Sequence, residues 1–109
     1  MMSAGALTQL GNGAVVEVNV SDLVEVSLEE NPTTGYRWVA EGPDDAIVRL
    51  EDSVFMAHPD AATGGGGIRT FRFRVVTAGV ATITLKKWRE WEGNPSILER
   101  FQATVRAAT

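Results

Sequence analysis

FRFRVVTAGVATITLKKW, residues 71–88, decides the fold class. Phe71, Phe73 and Val75 point to one side of an extended chain while Arg72 and Arg74 point to the other. Ala78-Gly79 breaks the run. Val80 to Trp88 then resumes it, with Ile83 and Leu85 on one face and Thr82 and Thr84 on the opposite one. Such period-two alternation marks half-buried strands, because successive side chains leave opposite faces of an extended chain. The same pattern recurs upstream at Val16, Val18 and Val20 and from Leu23 to Leu28. Tyr36 to Ala40, short and aromatic after the NPTTG turn, and Ile47 to Met56, with a break near Glu51-Asp52, each hold one further strand. Downstream, Ile97, Phe101, Ala103 and Val105 alternate with Arg100, Gln102, Thr104 and Arg106. About seven strands result, punctuated by Gly42-Pro43, Ala78-Gly79 and Gly93-Asn94-Pro95, with no helical period between them. Strands at this spacing predict an all-β sandwich or barrel rather than βαβ units.

The composition is that of a globular chain: 44% of its 109 residues are hydrophobic and 22% charged, enough for one core and too few for two. A single domain over 1–109 is expected, with 1–13 as a candidate flexible N-terminus. Ten basic residues against 14 acidic ones leave a net charge of −4, which argues against a chain-wide nucleic-acid footprint. No apolar run reaches the length of a membrane span. With no cysteine, disulfides, thiolate nucleophiles and Cys-ligated metals are excluded, so the fold suits reducing and oxidising compartments alike. MMSAGALTQLGNG has neither a charged leader segment nor a long apolar stretch, so the sequence as it stands carries no signal peptide. Either the protein stays where it is made or a leader has been removed.

Three loops stand out: Glu30 to Tyr36, Thr63 to Gly67 and Lys87 to Gly93. Each is separated from the next by two strands, and connections so spaced emerge at one end of a sandwich, as in immunoglobulin-type domains. Catalysis finds no support. His58 is the sole histidine, and no serine sits in a nucleophile elbow. Asp44-Asp45 and Glu51-Asp52 lack metal-loop spacing and read as solvated turn residues. Gly64 to Gly67 is no phosphate loop, because no Gly-Lys-Ser/Thr and no helix follow it. Asn31-Pro32-Thr33 and Asn94-Pro95-Ser96 carry a central proline that defeats glycosylation. Arg72 and Arg74, with Arg69 nearby, read as an outward stripe that blunts a sheet edge. Trp38, on a short strand behind a turn, is expected in the core. Trp88 and Trp91 bracket a loop tip, where an exposed tryptophan serves recognition.

Taken in order, the three loops resemble a known family. Asn31-Pro32-Thr33-Thr34-Gly35-Tyr36-Arg37-Trp38 is similar to the N-P-T-T-G-aromatic-x-W motif of the chagasin-type inhibitors of papain-like cysteine peptidases. Gly64 to Gly67 followed by Phe71-Arg72-Phe73 resembles the family's glycine-rich second loop and strand. Arg89-Glu90-Trp91 matches its R-P-W third loop at two of three positions, and Glu99-Arg100-Phe101 its closing strand. Glu90 stands where the family has proline, exchanging a fixed φ for a negative charge.

The resemblance implies an immunoglobulin-like antiparallel β-sandwich of seven to eight strands with three functional loops at one end. It implies tight, reversible, competitive inhibition without covalent chemistry, cofactor or metal, by a monomer whose partner is a papain-like cysteine peptidase. Asn31, Pro32, Thr33, Thr34, Gly35 and Tyr36 would enter the catalytic cleft. Gly64, Gly65, Gly66 and Gly67 would line one wall, and Arg89, Glu90 and Trp91 the other. The alternative is an adhesion module of the same fold, showing these loops to a glycan or another protein.

Overall fold

In the computed structural model, residues 5–8, 11–41, 46–59 and 66–109 are described. Their strands, in chain order, are β1 (Gly5–Leu7), β2 (Val15–Asn19), β3 (Leu23–Glu30), β4 (Arg37–Ala40), β5 (Val48–Ala57), β6 (Gly67–Val75), β7 (Gly79–Trp88) and β8 (Glu99–Ala108). They form two four-stranded sheets, ordered β1-β3-β6-β5 and β2-β8-β7-β4. Between them lie short 3₁₀ turns. No helix among the described residues is long and apolar enough to cross a membrane.

All seven strands expected from the sequence are present, and their inward parities build the core. Val24, Val26 and Leu28 of β3 face Phe71, Phe73 and Val75 of β6 in one sheet, with Val48 of β5 beside them. Ala81, Ile83 and Leu85 of β7, Phe101, Ala103 and Val105 of β8, Trp38 of β4 and Val18 of β2 face them from the other. Burying each of the larger side chains contributes roughly 1.5–3 kcal/mol.

The all-antiparallel expectation is corrected at two edges. β1 pairs with β3, and β2 with β8, in parallel. The connection from β1 to β3 runs through β2 in the opposite sheet, which is the long crossover that parallel neighbours need. β8 begins at the third loop and carries the chain away from it, ending at Ala108 beside Asn19 of β2.

β5 is an edge strand with a register shift between Leu50 and Asp52. The bulge moves its inward positions from Val48 and Leu50 to Ser53 and Phe55, opposite Phe71 and Arg69. Glu51 and Asp52 are therefore strand residues rather than turn residues. Arg72 bonds Glu25 at 2.6 Å and Asp52 at 3.2 Å, and Arg74 bonds Glu51 at 3.1 Å. The hydrogen bond that Arg72 donates to Glu25, then the one it donates to Asp52, raises its pKa above the ordinary value. The arginine stripe is corrected too: β6 lies inside its sheet, so these charges blunt no edge but bind it to its neighbours across the outer face. Arg69 does not belong to the stripe, because its parity is that of Phe71 and Phe73.

Replacing Phe73, which is 1% exposed, by alanine is expected to cost about 3–5 kcal/mol in chemical denaturation. Val80→Thr on the outer face, at a side chain 63% exposed, should stay within about 0.5 kcal/mol.

Candidate functional site

The first loop, between β3 and β4, holds its shape by its own hydrogen bonds. Pro32 disfavours helical backbone at the residue before it, and Asn31 is extended at φ −121°, ψ 102°. The Asn31 side-chain Oδ1 accepts the Thr33 amide at 3.1 Å and the Thr33 hydroxyl at 2.7 Å. The Thr34 hydroxyl donates to the Asn31 carbonyl at 2.8 Å and accepts the Tyr36 amide at 3.3 Å. Pro32 to Thr34 form one 3₁₀ turn closed by Gly35, whose φ of 82° favours glycine. Pro32, Thr33 and Thr34 are exposed at the tip.

Beneath this turn sits a charge that alternation alone did not single out. Glu30 is 3% exposed and continues the inward series Val24, Val26, Leu28. Its carboxylate accepts the backbone amide of Trp38 at 2.8 Å, from the far stem of the same loop. On its other side Arg69 reaches it at 2.9 Å through Nη2 and 3.2 Å through Nε. The Trp38 indole donates to the Glu29 carbonyl at 2.9 Å. The clue was available: two opposite charges, Glu30 and Arg69, lie in register with core residues on neighbouring strands.

The third loop, between β7 and β8, consists of two consecutive 3₁₀ turns, Glu90–Glu92 and Asn94–Ser96. The Ser96 hydroxyl accepts the Arg89 amide at 2.9 Å and lies 2.7 Å from the Gly93 carbonyl, which braces the loop from inside. Arg89 turns back over the first loop. Its Nε and Nη2 donate to the Thr34 carbonyl at 3.3 and 3.2 Å, and its guanidinium lies 4.5 Å from the centre of the Tyr36 ring. Trp91 is 71% exposed, yet its ring edge lies over Gly35. A Cβ on Gly35 would fall 2.7 Å from Trp91 Cη2, so glycine is needed there for space as well as for φ. Glu90 is exposed, and Glu92 approaches Arg89 at 3.5 Å. Trp88 is half-buried and carries the Lys86 ammonium 3.6 Å above its ring.

Of the second loop, Gly64 and Gly65 lie outside the described residues. Gly66 touches the first loop: a Cβ there would sit 3.2 Å from the Glu30 carbonyl and 3.7 Å from Asn31 Cβ. Gly67 opens β6 opposite Glu30 and is buried; any side chain would collide with the Met56 carbonyl. His58 stands at the start of the loop, with its amide bonded to the Gly66 carbonyl at 3.1 Å and its ring 3.3 Å from Glu29. Asn31, Gly66, Thr34, Tyr36, Arg89 and Trp91 thus form one continuous edge, with the first loop in the middle. Among the described residues no group of His, Asp or Glu side chains could hold a metal ion. Asp44 and Asp45 lie outside them.

The family described as chagasin family peptidase inhibitor I42 matches residues 17–105. Chagasin from Trypanosoma cruzi is 36% identical over 107 residues, spanning 93% of this chain and 96% of chagasin. Amoebiasin-2 from Entamoeba histolytica is 32% identical over 100 residues, spanning 91% of this chain and 81% of that protein. Among solved structures, the cysteine protease inhibitor EhICP2 from Entamoeba histolytica superposes with a TM-score of 0.83 at 26% identity, covering 98% of this chain and 100% of that one.

Trp91→Ala is expected to leave the denaturation midpoint nearly unchanged, within about 0.5 kcal/mol. Trp38→Ala, which empties a core position, should cost about 3–5 kcal/mol. Gly35→Ala is expected to lose about 1 kcal/mol or more, since alanine resists a positive φ, and to shift the Trp91 fluorescence as the ring is displaced. An unshifted spectrum would show that Trp91 does not rest on Gly35.

Proposed function

The chain belongs to the chagasin family of peptidase inhibitors, and from that membership we propose that it blocks papain-like cysteine peptidases with a three-loop wedge. It is an inhibitor and not an enzyme. The observation that carries the wedge is the fusion of the first and third loops through Arg89, whose guanidinium is shared between the Thr34 carbonyl and the Tyr36 ring.

Thr33 stands at the exposed tip of the first loop, where Asn31, Pro32, Thr34, Gly35 and Tyr36 hold it for insertion into the cleft. Arg89, Glu90 and Trp91 lie against one wall, with Trp91 offering the large apolar face typical of a binding hot spot. Gly66, with Gly64 and Gly65 of the same run by the family resemblance, is assigned to the other wall, where the lack of side chains lets the backbone approach closely. Gly67, buried at the start of β6, lies behind that wall. A wedge of this kind buries roughly 800 Å² on each partner, the scale of a stable interface. Because the turn is already folded, little conformational entropy remains to be lost on docking. No bond to the peptidase thiol forms or breaks. The inhibitor works by filling the cleft.

Papain inhibition should be reversible and competitive, with one inhibitor per enzyme, and papain whose thiol carries a single methyl group should still bind. Thr33→Glu is expected to raise the inhibition constant by at least a hundredfold, about 1.4 kcal/mol for each factor of ten. Its stability should change by no more than about 0.5 kcal/mol, as for other exposed turn positions. Trp91→Ala should weaken binding by roughly 2 kcal/mol. Unimpaired inhibition by Thr33→Glu would remove the first loop from the cleft, and full papain activity beside the parent protein would favour the adhesion reading.

A further inference from the structure

The two stems that carry the first and second loops meet at one buried ion pair. On the first loop's side, Glu30 ends β3 and its carboxylate also accepts the Trp38 amide of β4, so a single carboxylate ties both legs of that loop together. On the second loop's side, Arg69 stands near the start of β6, just beyond the loop. Its Nη1 donates to the Ser53 hydroxyl of β5 at 3.2 Å, and its guanidinium lies 5.6 Å from the centre of the Phe55 ring. Arg69 thereby ties both legs of the second loop. The Glu30–Arg69 bond at 2.9 Å joins the two, with side chains 1% and 13% exposed.

We infer that Glu30 and Arg69 are positioning residues for peptidase binding, setting the spacing of the first loop against the second. The inference rests on the wedge reading above, but neither residue reaches the exposed tip or needs to touch the peptidase. An apolar pair could fill the same volume and close the same end of the core. What it could not supply is direction. A guanidinium holds a carboxylate through a planar fork, which restricts how one stem slides or rotates over the other. Core packing tolerates such small shifts, whereas a wedge that must fit two walls of one cleft does not, since misplacement by an ångström already weakens a preorganised site.

Stability and binding separate in a double variant. Arg69→Met alone leaves a buried carboxylate uncompensated and should lower the denaturation midpoint. Glu30→Gln/Arg69→Met removes both charges and keeps an oxygen for the Trp38 amide, so the midpoint should recover most of that loss. Its inhibition constant for papain should nevertheless remain at least tenfold above the parent's. Amide exchange at Thr34 and Gly35, measured by NMR, should be faster than in the parent. Arg69→Lys, which keeps the charge and loses the fork, gives the same readouts in a variant expected to fold, with a several-fold weaker inhibition. If a double variant of parental stability inhibits papain as the parent does, or if Arg69→Lys changes neither binding nor exchange, the positioning role is wrong. A parent that leaves papain active would instead overturn the wedge reading, and this inference with it.

Discussion

One carboxylate, that of Glu30, organises the loop-bearing end of the sandwich. At most of its length the core closes by apolar contact, but at this end it must meet an edge that stays exposed in order to bind. An apolar pair could close it but would not fix the direction in which the loop stems lie. The chain closes the core with a charge, and the low-dielectric site makes that charge costly unless all its acceptor sites are used. They are used: by the Trp38 amide, by two nitrogens of Arg69, and by nothing that competes with the loops themselves. Around that one solution β3, β4 and β6 take fixed positions.

Above it, rigidity comes from hydrogen bonding rather than burial. The first loop has no buried residue in its 3₁₀ turn. Its order depends on Asn31, Thr33 and Thr34 bonding one another, and on Arg89 reaching over from the third loop. Exposed hydrogen bonds each contribute little to stability, on the order of 1 kcal/mol or less. Their value lies in removing alternatives before the partner arrives. The third loop, with Glu90 exposed at its tip, is braced from within by Ser96 and held to the first loop by Arg89.

Much of this was legible in the sequence, and the parts that were not share a cause. Alternation located β2, β3, β6, β7 and β8, which have one wetter and one drier face, whereas β4 was read from its aromatic residues behind the turn and β5 from its apolar stretch. β1 escaped because Gly5–Leu7 is too short to alternate, and because it is the partner, β3, that makes it a strand. The turn at Asn31–Gly35 could be read from residue chemistry, as proline and glycine impose backbone angles locally. Trp38 inside and Trp91 outside followed from their places on a strand and at a tip. Arg72 and Arg74 were correctly turned outward, but their partners Glu25, Glu51 and Asp52 depend on which strands become neighbours. Arg89's return to Thr34 is of the same kind: it depends on the angle between two loops, and no local period records it.

The course of β8 has a consequence for how this protein can be attached to other things. The strand leaves the third loop at Glu99 and runs for ten residues before ending at Ala108. At about 3.3 Å per residue that places Ala108 some 30 Å from the loops, at the opposite pole. A tag, a surface or a second copy joined there by a flexible tether leaves the wedge unobstructed. Two copies so joined could each occupy a peptidase. On a surface dense in peptidase, the second capture would then proceed at the effective concentration set by the tether rather than that of the bulk solution.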